Sequence, residues 1–216
     1  MRLFNPEWEA IKEFEHQAKV RDIQFDLDGH ELPEDHGDAL LQALSAILPW
    51  LREEPGLGIH PIHGAASGRG TLIINRRAKL VLRVPIERLE DVKALSGKAI
   101  DLGFGSIGIG DLKAKPLIPF RYLYAPFVDM GVADEAVFLA AAQARLDELG
   151  IQAGLIPGKQ RKMHTPDGDI VGFSLMLHDV TLAQSITLQE QGLGSNRNRG
   201  CGIFVPHKSI KEVAAG

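Results

Sequence analysis

The predicted secondary structure follows the same order in both halves of the chain, and this repetition restricts the fold more than any other feature. In the first half, alternating apolar residues at 20–27 predict a strand. The helix that follows is marked by apolar residues at helical spacing: Leu40, Leu41, Leu44, Ile47 and Leu48. Each half reads strand, helix, strand, strand, helix, strand, which is the split β-α-β order of the ferredoxin-like fold. The sequence therefore predicts an α+β protein made of two tandem ferredoxin-like units.

The limits of the predicted domains follow from the places where these patterns break. Residues 1–19 carry apolar side chains at helical spacing and predict an N-terminal helical extension. A proline-containing linker at residues 116–119 separates the two ferredoxin-like units. We therefore expect a first ferredoxin-like domain at residues 20–117 and a second one at residues 118–216.

Several local features of these domains are predicted from a few residues each. Asp35 is the expected N-cap of the first long helix, and residues 178–179 are expected to cap the last helix. Residues 85–96 predict a second helix in the first unit. The β-rich segments at residues 71–74 and 80–84 fit either a hairpin or one interrupted strand.

The composition is that of an ordinary soluble protein. The 216 residues are 44% hydrophobic and 24% charged, and no apolar run approaches the roughly 18 residues that would span a bilayer. The first residues contain no signal-peptide core, so we expect a cytoplasmic protein without a membrane partner. The single cysteine, Cys201, excludes an internal disulfide and a cysteine-based zinc site.

The net charge of −4 argues against a uniformly basic nucleic-acid-binding domain, but the charges are unevenly distributed. From residue 151 onward there are seven Lys and Arg against five Asp and Glu, whereas residues 1–150 carry a net charge of −6. Basic side chains cluster at residues 159–162 and 197–199. Binding to a polyanion would therefore depend on local patches.

A glycine-rich loop, residues 192–202, lies between the last predicted helix and a last predicted strand at residues 203–205. Its two arginines, Arg197 and Arg199, are bracketed by four glycines: Gly192, Gly194, Gly200 and Gly202. Glycine accepts positive φ and allows another backbone to come close, while arginine offers planar donors suited to phosphate. The loop predicts contact with a polyanion. The alternative is that the glycines allow close packing of the last strand and that the arginines face solvent.

The loop sequence GLGSNRNRGCG, in a fold of two ferredoxin-like units, resembles the repeat-associated RNA-binding (RAMP) proteins of CRISPR systems. LPEDHGDAL at residues 32–40 and GIHPI at residues 58–62 are similar to the compact type I subfamily of their repeat-RNA processing endoribonucleases. The resemblance covers residues 20–205. It implies that the chain binds a hairpin of CRISPR repeat RNA and cuts at its base to make guide RNA (crRNA), without a metal ion. It also implies further subunits of a CRISPR effector complex as partners.

The chemistry implied by the resemblance is attack by a neighbouring 2′-OH, which leaves a 2′,3′-cyclic phosphate and a 5′-OH. This reaction needs a base near the 2′-OH, an acid near the leaving 5′-oxygen and donors for the charged phosphorane. Two alternatives are a non-catalytic RNA-binding subunit of an effector complex and a ferredoxin-like enzyme acting on a small molecule. The glycine-rich matches at residues 103–108 and 154–159 lack the context of nucleotide-binding motifs, so we expect no cofactor.

His36 is the first candidate for proton transfer, because histidine titrates near neutral pH and a helix N-terminus disfavours its charged form. The resemblance also implies a catalytic histidine in this helix. A capping or solvated histidine is the alternative, and Asp35 beside it would oppose a lowered pKa. His60 and His63 are further candidates for proton transfer or for orienting RNA, and they point to opposite faces of an extended segment, so only one of them would share a cleft with His36. A structural histidine is the alternative for each. Since no third ligand is near them, we expect no metal site.

A basic hairpin is predicted around the turn Thr-Pro-Asp-Gly at residues 165–168. Its first strand carries three basic residues in alternation, Lys159, Arg161 and Lys162, so two of them would lie on one face and contact RNA phosphates. The alternative is that this face of the hairpin is only solvated. In the glycine-rich loop, Arg197 and Arg199 are two residues apart. On an extended backbone both arginines would point to the same side and hold a phosphate.

Overall fold

The computed structural model describes residue 11, residue 14 and residues 17–207. Most of the helix predicted over residues 1–19 lies outside the described residues. Within the described part of the chain, none of the helices is long and apolar enough to cross a membrane. Two units follow one another along the chain, and each has its own apolar core.

The first unit is built on a five-stranded antiparallel sheet. Its strands are β1 (Val20–Asp28), β3 (Gly58–Ile59), β6 (Lys79–Pro85), β7 (Ala99–Asp101) and β8 (Ser106–Lys115). They lie in the order β3-β6-β1-β8-β7, which is the ferredoxin-like order with β7 added at one edge. Helix α1 (Gly37–Ile47) buries Leu40, Leu41 and Leu44 in the core of this unit.

The segments at residues 71–74 and 80–84 form neither a hairpin nor one interrupted strand, and this prediction is wrong. Strand β5 (Thr71–Ile73) instead pairs with β2 (Glu31–Pro33) and β4 (Ala65–Ala66) in a separate three-stranded sheet. Strand β6 pairs with β1 and β3 in the main sheet. In chain order β2 precedes helix α1, whereas β4 and β5 lie between β3 and β6. Leu72 of β5 and the neighbouring Gly64 and Gly70 line the site described below.

The prediction of a second helix at residues 85–96 is also wrong, because this segment forms two 3₁₀ turns, Ile86–Arg88 and Asp91–Leu95. The buried side chains of this stretch, Val92 and Leu95, are three residues apart. Residues three apart lie on the same side of a 3₁₀ helix, so the second turn directs both side chains into the core.

The second unit has the complete ferredoxin-like order. Its elements are β9 (Leu123–Val128), α2 (Glu135–Glu148), β10 (Gly154–Thr165), β11 (Gly168–His178), α3 (Leu182–Gln191) and β12 (Val205–Pro206). The antiparallel sheet has the order β10-β11-β9-β12, which confirms the predicted fold class. Pairing of Thr165 with Gly168 confirms the predicted hairpin turn. The last strand, predicted at residues 203–205, begins two residues later.

Two helix caps differ from the prediction. Thr181 caps α3 through a capping box, in which its hydroxyl accepts from the Gln184 N–H at 3.2 Å and the Gln184 side chain accepts from the Thr181 N–H at 3.1 Å. Residues 178–179 precede this cap. At helix α1, His36 rather than Asp35 occupies the N-cap position, and it makes no side-chain cap hydrogen bond.

A buried arginine joins the two units. Arg83 on β6 donates from Nε and Nη2 to the two carboxylate oxygens of Asp22 at 2.7 and 2.9 Å. Its Nη1 donates to the carbonyl oxygens of Gln189 and Phe204 in the second unit, both at 2.9 Å. Burial alone would raise the pKa of Asp22, but the neighbouring His60 and the paired Arg83 hold it well below its usual range. The interface between the units is therefore fixed by a charged group that both units bind.

Candidate active site

A cleft of about 570 Å³ opens where the two units meet. Its lining from the first unit is residues 34–37, Leu40, residues 59–64, Gly70 and Leu72, and from the second unit residues 126–127, 161–164 and 199–200. The predicted site residues in this lining are His36, His60, His63, Arg161, Lys162, Arg199 and Gly200. Five other predicted residues lie outside it: Lys159, Arg197, Gly192, Gly194 and Gly202.

His36 is a buried residue of the cleft lining, with 4% of its surface exposed. Its Nδ1 lies 2.9 Å from the carbonyl oxygen of Pro33 and 3.1 Å from that of Glu34, while its Nε2 accepts a hydrogen bond from the Ile62 N–H at 2.9 Å. These partners assign the proton to Nδ1 and the lone pair to Nε2. Burial lowers the pKa of His36, although the bonds to the two carbonyls oppose it. The ring is therefore a neutral imidazole.

Asp35 does not cap helix α1 as predicted but binds a strand of the second unit. Its Oδ2 accepts a hydrogen bond from the backbone N–H of His164 on β10, at 2.7 Å. The carboxylate is therefore directed toward the second unit instead of the first turn of α1. This contact holds the entry of α1 against β10.

The other two predicted histidines differ in exposure. His60 is directed inward, where its side chain is 13% exposed and its Nε2 lies 3.7 Å from Oδ1 of Asp22, too far for a hydrogen bond. Burial lowers the pKa of His60. His63 is exposed at the cleft and close enough to His36 for its charge to lower the pKa of that ring. Among the described residues, no group of three or more His, Cys, Asp or Glu is arranged to hold a metal ion.

The basic strand of the hairpin presents two of its three predicted cations to the cleft. Arg161 and Lys162 line it, whereas Lys159 lies beyond it on the same strand. A register shift between Pro157 and Gln160 interrupts the simple alternation of this strand. The Lys162 ammonium pairs with Oδ2 of Asp169 at 2.6 Å.

The two arginines of the glycine-rich loop point in different directions, so the prediction that they face the same side is wrong. They lie on a 3₁₀ turn, Arg197–Arg199, in which positions two residues apart are about 240° apart around the axis. Arg199 lines the cleft and donates from Nε to Oδ1 of Asp38 on α1 at 2.8 Å. The Arg197 side chain is turned into the protein, where burial and the nearby Arg83 lower its pKa to about 10.

The glycines of this loop allow close backbone packing. A Cβ on Gly194 would lie 1.9 Å from the carbonyl oxygen of Asp129, and one on Gly202 would lie 2.0 Å from that of Leu193. Both residues also have positive φ, of 74° and 64°. The Gly202 N–H also donates to the carbonyl oxygen of Phe127 on β9 at 2.7 Å. The loop is therefore held against the end of β9, which sets the position of the arginine turn at the edge of the cleft.

Sequence reasoning missed one polar pair in the cleft. His164 lines the cleft from β10, and its Nδ1 lies 2.6 Å from Oδ1 of Asp169 on β11. The two residues are opposite each other in the hairpin register, directly outside the turn at residues 165–168. Counting outward from the predicted turn pairs position 164 with position 169, so the signal was present in the sequence.

A family model described as "Cas6 Crispr" matches residues 21–209 of this chain. A curated protein of Myxococcus xanthus (strain DK1622), named CRISPR-associated endonuclease Cas6, is 35% identical over 186 residues, which is 86% of this chain and 80% of the relative. The chain belongs to the Cas6 family. The family match spans both ferredoxin-like units and the glycine-rich loop, and so includes every side chain that lines the cleft.

Solved structures share the fold of this Cas6 family member. One, described as "CRISPR associated protein Cas6", has a TM-score of 0.63 at 12% identity and covers 88% of this chain and 100% of its own. A Cas6-related protein from Pyrococcus furiosus has a TM-score of 0.62 at 16% identity, with the same coverage of 88% and 100%. A third, "An RAMP protein binding different RNA substrates", has a TM-score of 0.61 at 14% identity and covers 87% and 100%. At these identities the likeness concerns the fold of the two units.

Proposed function

We propose that this chain is an endoribonuclease that binds CRISPR repeat RNA and cuts the precursor transcript into guide RNAs. The observation that carries the proposal is the cleft between the units, which is lined by His36, His63 and Arg199 together. Support comes from membership of the Cas6 family and from the 35% identity to a protein named as an endonuclease. Imidazoles and a guanidinium around one cleft provide both proton transfer and phosphate binding.

The proposed reaction needs no metal ion. The 2′-OH of one nucleotide attacks the adjacent phosphorus, the bond from phosphorus to the 5′-oxygen breaks, and the products end in a 2′,3′-cyclic phosphate and a 5′-OH. His36 is the proposed base, because the hydrogen bond from its Nδ1–H to Pro33 leaves the lone pair on Nε2. Its lowered pKa keeps Nε2 unprotonated at neutral pH.

The proposal requires residues 60–63 to shift when RNA binds. Nε2 of His36 accepts a hydrogen bond from the Ile62 N–H at 2.9 Å, which occupies the lone pair that the 2′-OH needs. A 2′-OH can take the place of that donor on Nε2, and the shift of residues 60–63 must then give the Ile62 N–H another partner, because an unpaired buried N–H costs about 1–3 kcal/mol. The base therefore becomes available in the RNA complex.

Three cations are proposed to bind the RNA backbone around the scissile phosphate: Arg161, Lys162 and Arg199. Arg199 is oriented by Nε bonding to Asp38 and by Nη1 bonding to Oδ1 of Asn196 at 3.1 Å. No hydrogen bond of the described residues uses its Nη2, which is the nitrogen we assign to a phosphate oxygen. Arginine held in this way retains a fixed donor geometry for the anion.

The proposal is tested by incubating the protein with its repeat RNA hairpin in EDTA and following both binding and cleavage. We expect the wild type to cut, and a 2′-deoxy residue at the scissile nucleotide to abolish cutting while binding persists. His36→Ala should lower the single-turnover rate by about 100-fold or more. The matched control is His30→Ala, at an exposed histidine outside the cleft, which should cut at the wild-type rate. Full activity of His36→Ala would remove His36 from catalysis.

The second candidate function is a non-catalytic RNA-binding subunit of a CRISPR effector complex. The occupied Nε2 of His36 is the observation that favours it, because a histidine with both nitrogens bonded is also a structural residue. Tight binding of repeat RNA by the wild type without cleavage would support this second function. Other effector subunits are proposed as partners in either case, and co-purification of those subunits with this protein tests that part.

A further inference from the structure

His164 enters the cleft from the second unit, whereas His36 and His63 enter it from the first. Its side chain is 70% exposed, so it is accessible to a substrate. The ring is oriented, because Nδ1 lies 2.6 Å from Oδ1 of Asp169 directly across the hairpin. A carboxylate at Nδ1 requires a proton there, which places the reactive position of the ring at Nε2.

Asp169 is suited to hold this ring. Hydrogen bonds from Lys162 and then from His164 lower the pKa of Asp169, so the group is a carboxylate. Lys162 occupies Oδ2 at 2.6 Å, while His164 occupies Oδ1. Each oxygen therefore has its own cationic or N–H partner, and the imidazole is held without competition.

The backbone around His164 is tied to the entry of helix α1. The His164 N–H donates to Asp35, the residue directly before His36, at 2.7 Å. Next to His36, Gly37 lies against the carbonyl oxygen of Arg199 and against the Met163 side chain of β10, whose Cε would be 2.6 Å from an added Cβ. The positions of His164 and His36 are therefore coupled, because β10 and the N-terminus of α1 are in direct contact.

We propose that His164 is the second proton-transfer residue of the site and that it protonates the leaving 5′-oxygen. The inference rests on the proposed function. In the step, the 2′-oxygen gives its proton to the base and bonds to phosphorus, the bond from phosphorus to the 5′-oxygen breaks, and Nε2–H of His164 donates its proton to that oxygen. Asp169 acts as a positioning residue, since it contacts the imidazole and not the RNA.

The geometry of the reaction selects His164 over the other candidates. The attacking 2′-oxygen and the leaving 5′-oxygen lie on opposite sides of the phosphorus, so the acid should come from the wall opposite the base. His63 enters from the same unit as His36, and His60 is directed inward beside Asp22. His164 is the histidine that the second unit supplies to the cleft.

A substrate with sulfur in place of the scissile 5′-bridging oxygen tests the role of His164. A thiolate leaves without protonation, so the substitution removes the need for an acid but not for positioning. We expect His164→Ala to cut normal repeat RNA about 100-fold more slowly than the wild type and to cut the sulfur substrate within a few-fold of the wild-type rate. Asp169→Asn should show a smaller defect in the same direction, also relieved by sulfur.

His178→Ala provides the matched control. His178 has the same kind of partner, with Nδ1 at 2.7 Å from Oδ2 of Asp179, but it does not line the cleft. It should cut both substrates at the wild-type rate. Wild-type cleavage of normal RNA by His164→Ala, or an equal defect on both substrates, would overturn the assignment. If the wild-type protein cuts neither substrate, the proposed function fails and the inference fails with it.

Discussion

Arg83 offers a direct test of how the two units are held together. Its guanidinium is fully buried, pairs with both oxygens of Asp22 and donates to two carbonyl oxygens of the second unit. Arg83→Met keeps much of the side-chain volume but leaves a carboxylate and two carbonyls without their donor. Breaking a buried ion pair on one side costs about 3–5 kcal/mol, and an unpaired buried carbonyl costs about 1–3 kcal/mol.

These contributions overlap, because water can reach the partly exposed Asp22, whose side chain is 18% exposed. We therefore expect Arg83→Met to lower the free energy of unfolding by about 4 kcal/mol. With a urea m-value of about 2 kcal/mol per M, the midpoint should move down by about 2 M. The control Arg77→Met, at an exposed arginine of the same unit, should stay within about 0.5 kcal/mol of the wild type.

A double-mutant cycle separates the ion pair from the loss of packing. Asp22→Asn together with Arg83→Met should destabilise the protein by less than the sum of the two single changes, because each removes the partner of the other. A decrease of less than about 1 kcal/mol in Arg83→Met would refute the reasoning, since a group with these four hydrogen bonds would then contribute no more than a surface side chain.

Two further predictions concern the glycine-rich loop and the buried histidines. Gly194→Ala should cost more than about 2 kcal/mol of unfolding free energy in urea, because its Cβ would lie 1.9 Å from the carbonyl oxygen of Asp129. Gly131→Ala, at positive φ in open space, should cost only about 1 kcal/mol. Burial lowers the pKa of His36 and His60, so their contribution to stability is complete above their usual pKa of about 6.5 and is lost as the pH falls below it. The free energy of unfolding of the wild type should therefore fall between about pH 7 and pH 5, and that of His60→Gln should fall by less. An equal fall in the wild type and in His60→Gln would contradict this.

The periodicity of the second unit was sufficient to predict its fold. The apolar spacing of α2 and α3 and the Thr-Pro-Asp-Gly turn at residues 165–168 are local signals, and local signals can be read from one sequence. In the first unit, strand β5 leaves the main sheet to pair with β2 and β4. That choice depends on contacts between distant segments, which no local pattern contains.

The sequence predicts only part of the candidate site, because some of its contacts also join distant segments of the chain. The type of residue and the resemblance selected His36, and the structure places it in the cleft. The directions of Arg197 and Arg199 cannot be predicted from the sequence, because the two residues lie on a 3₁₀ turn and not on an extended backbone. The role of Asp35 depends on the N–H of His164, 129 residues away, and was equally beyond a local pattern.

The chemistry of the cut ends tests the central proposal most directly. Wild-type protein and repeat RNA are mixed in EDTA under single-turnover conditions, and the product termini are identified by mass spectrometry. We predict a 2′,3′-cyclic phosphate on one fragment and a 5′-OH on the other, since the neighbouring 2′-oxygen is the proposed nucleophile. A 3′-OH with a 5′-phosphate, or cutting that requires an added divalent metal ion, would contradict the account.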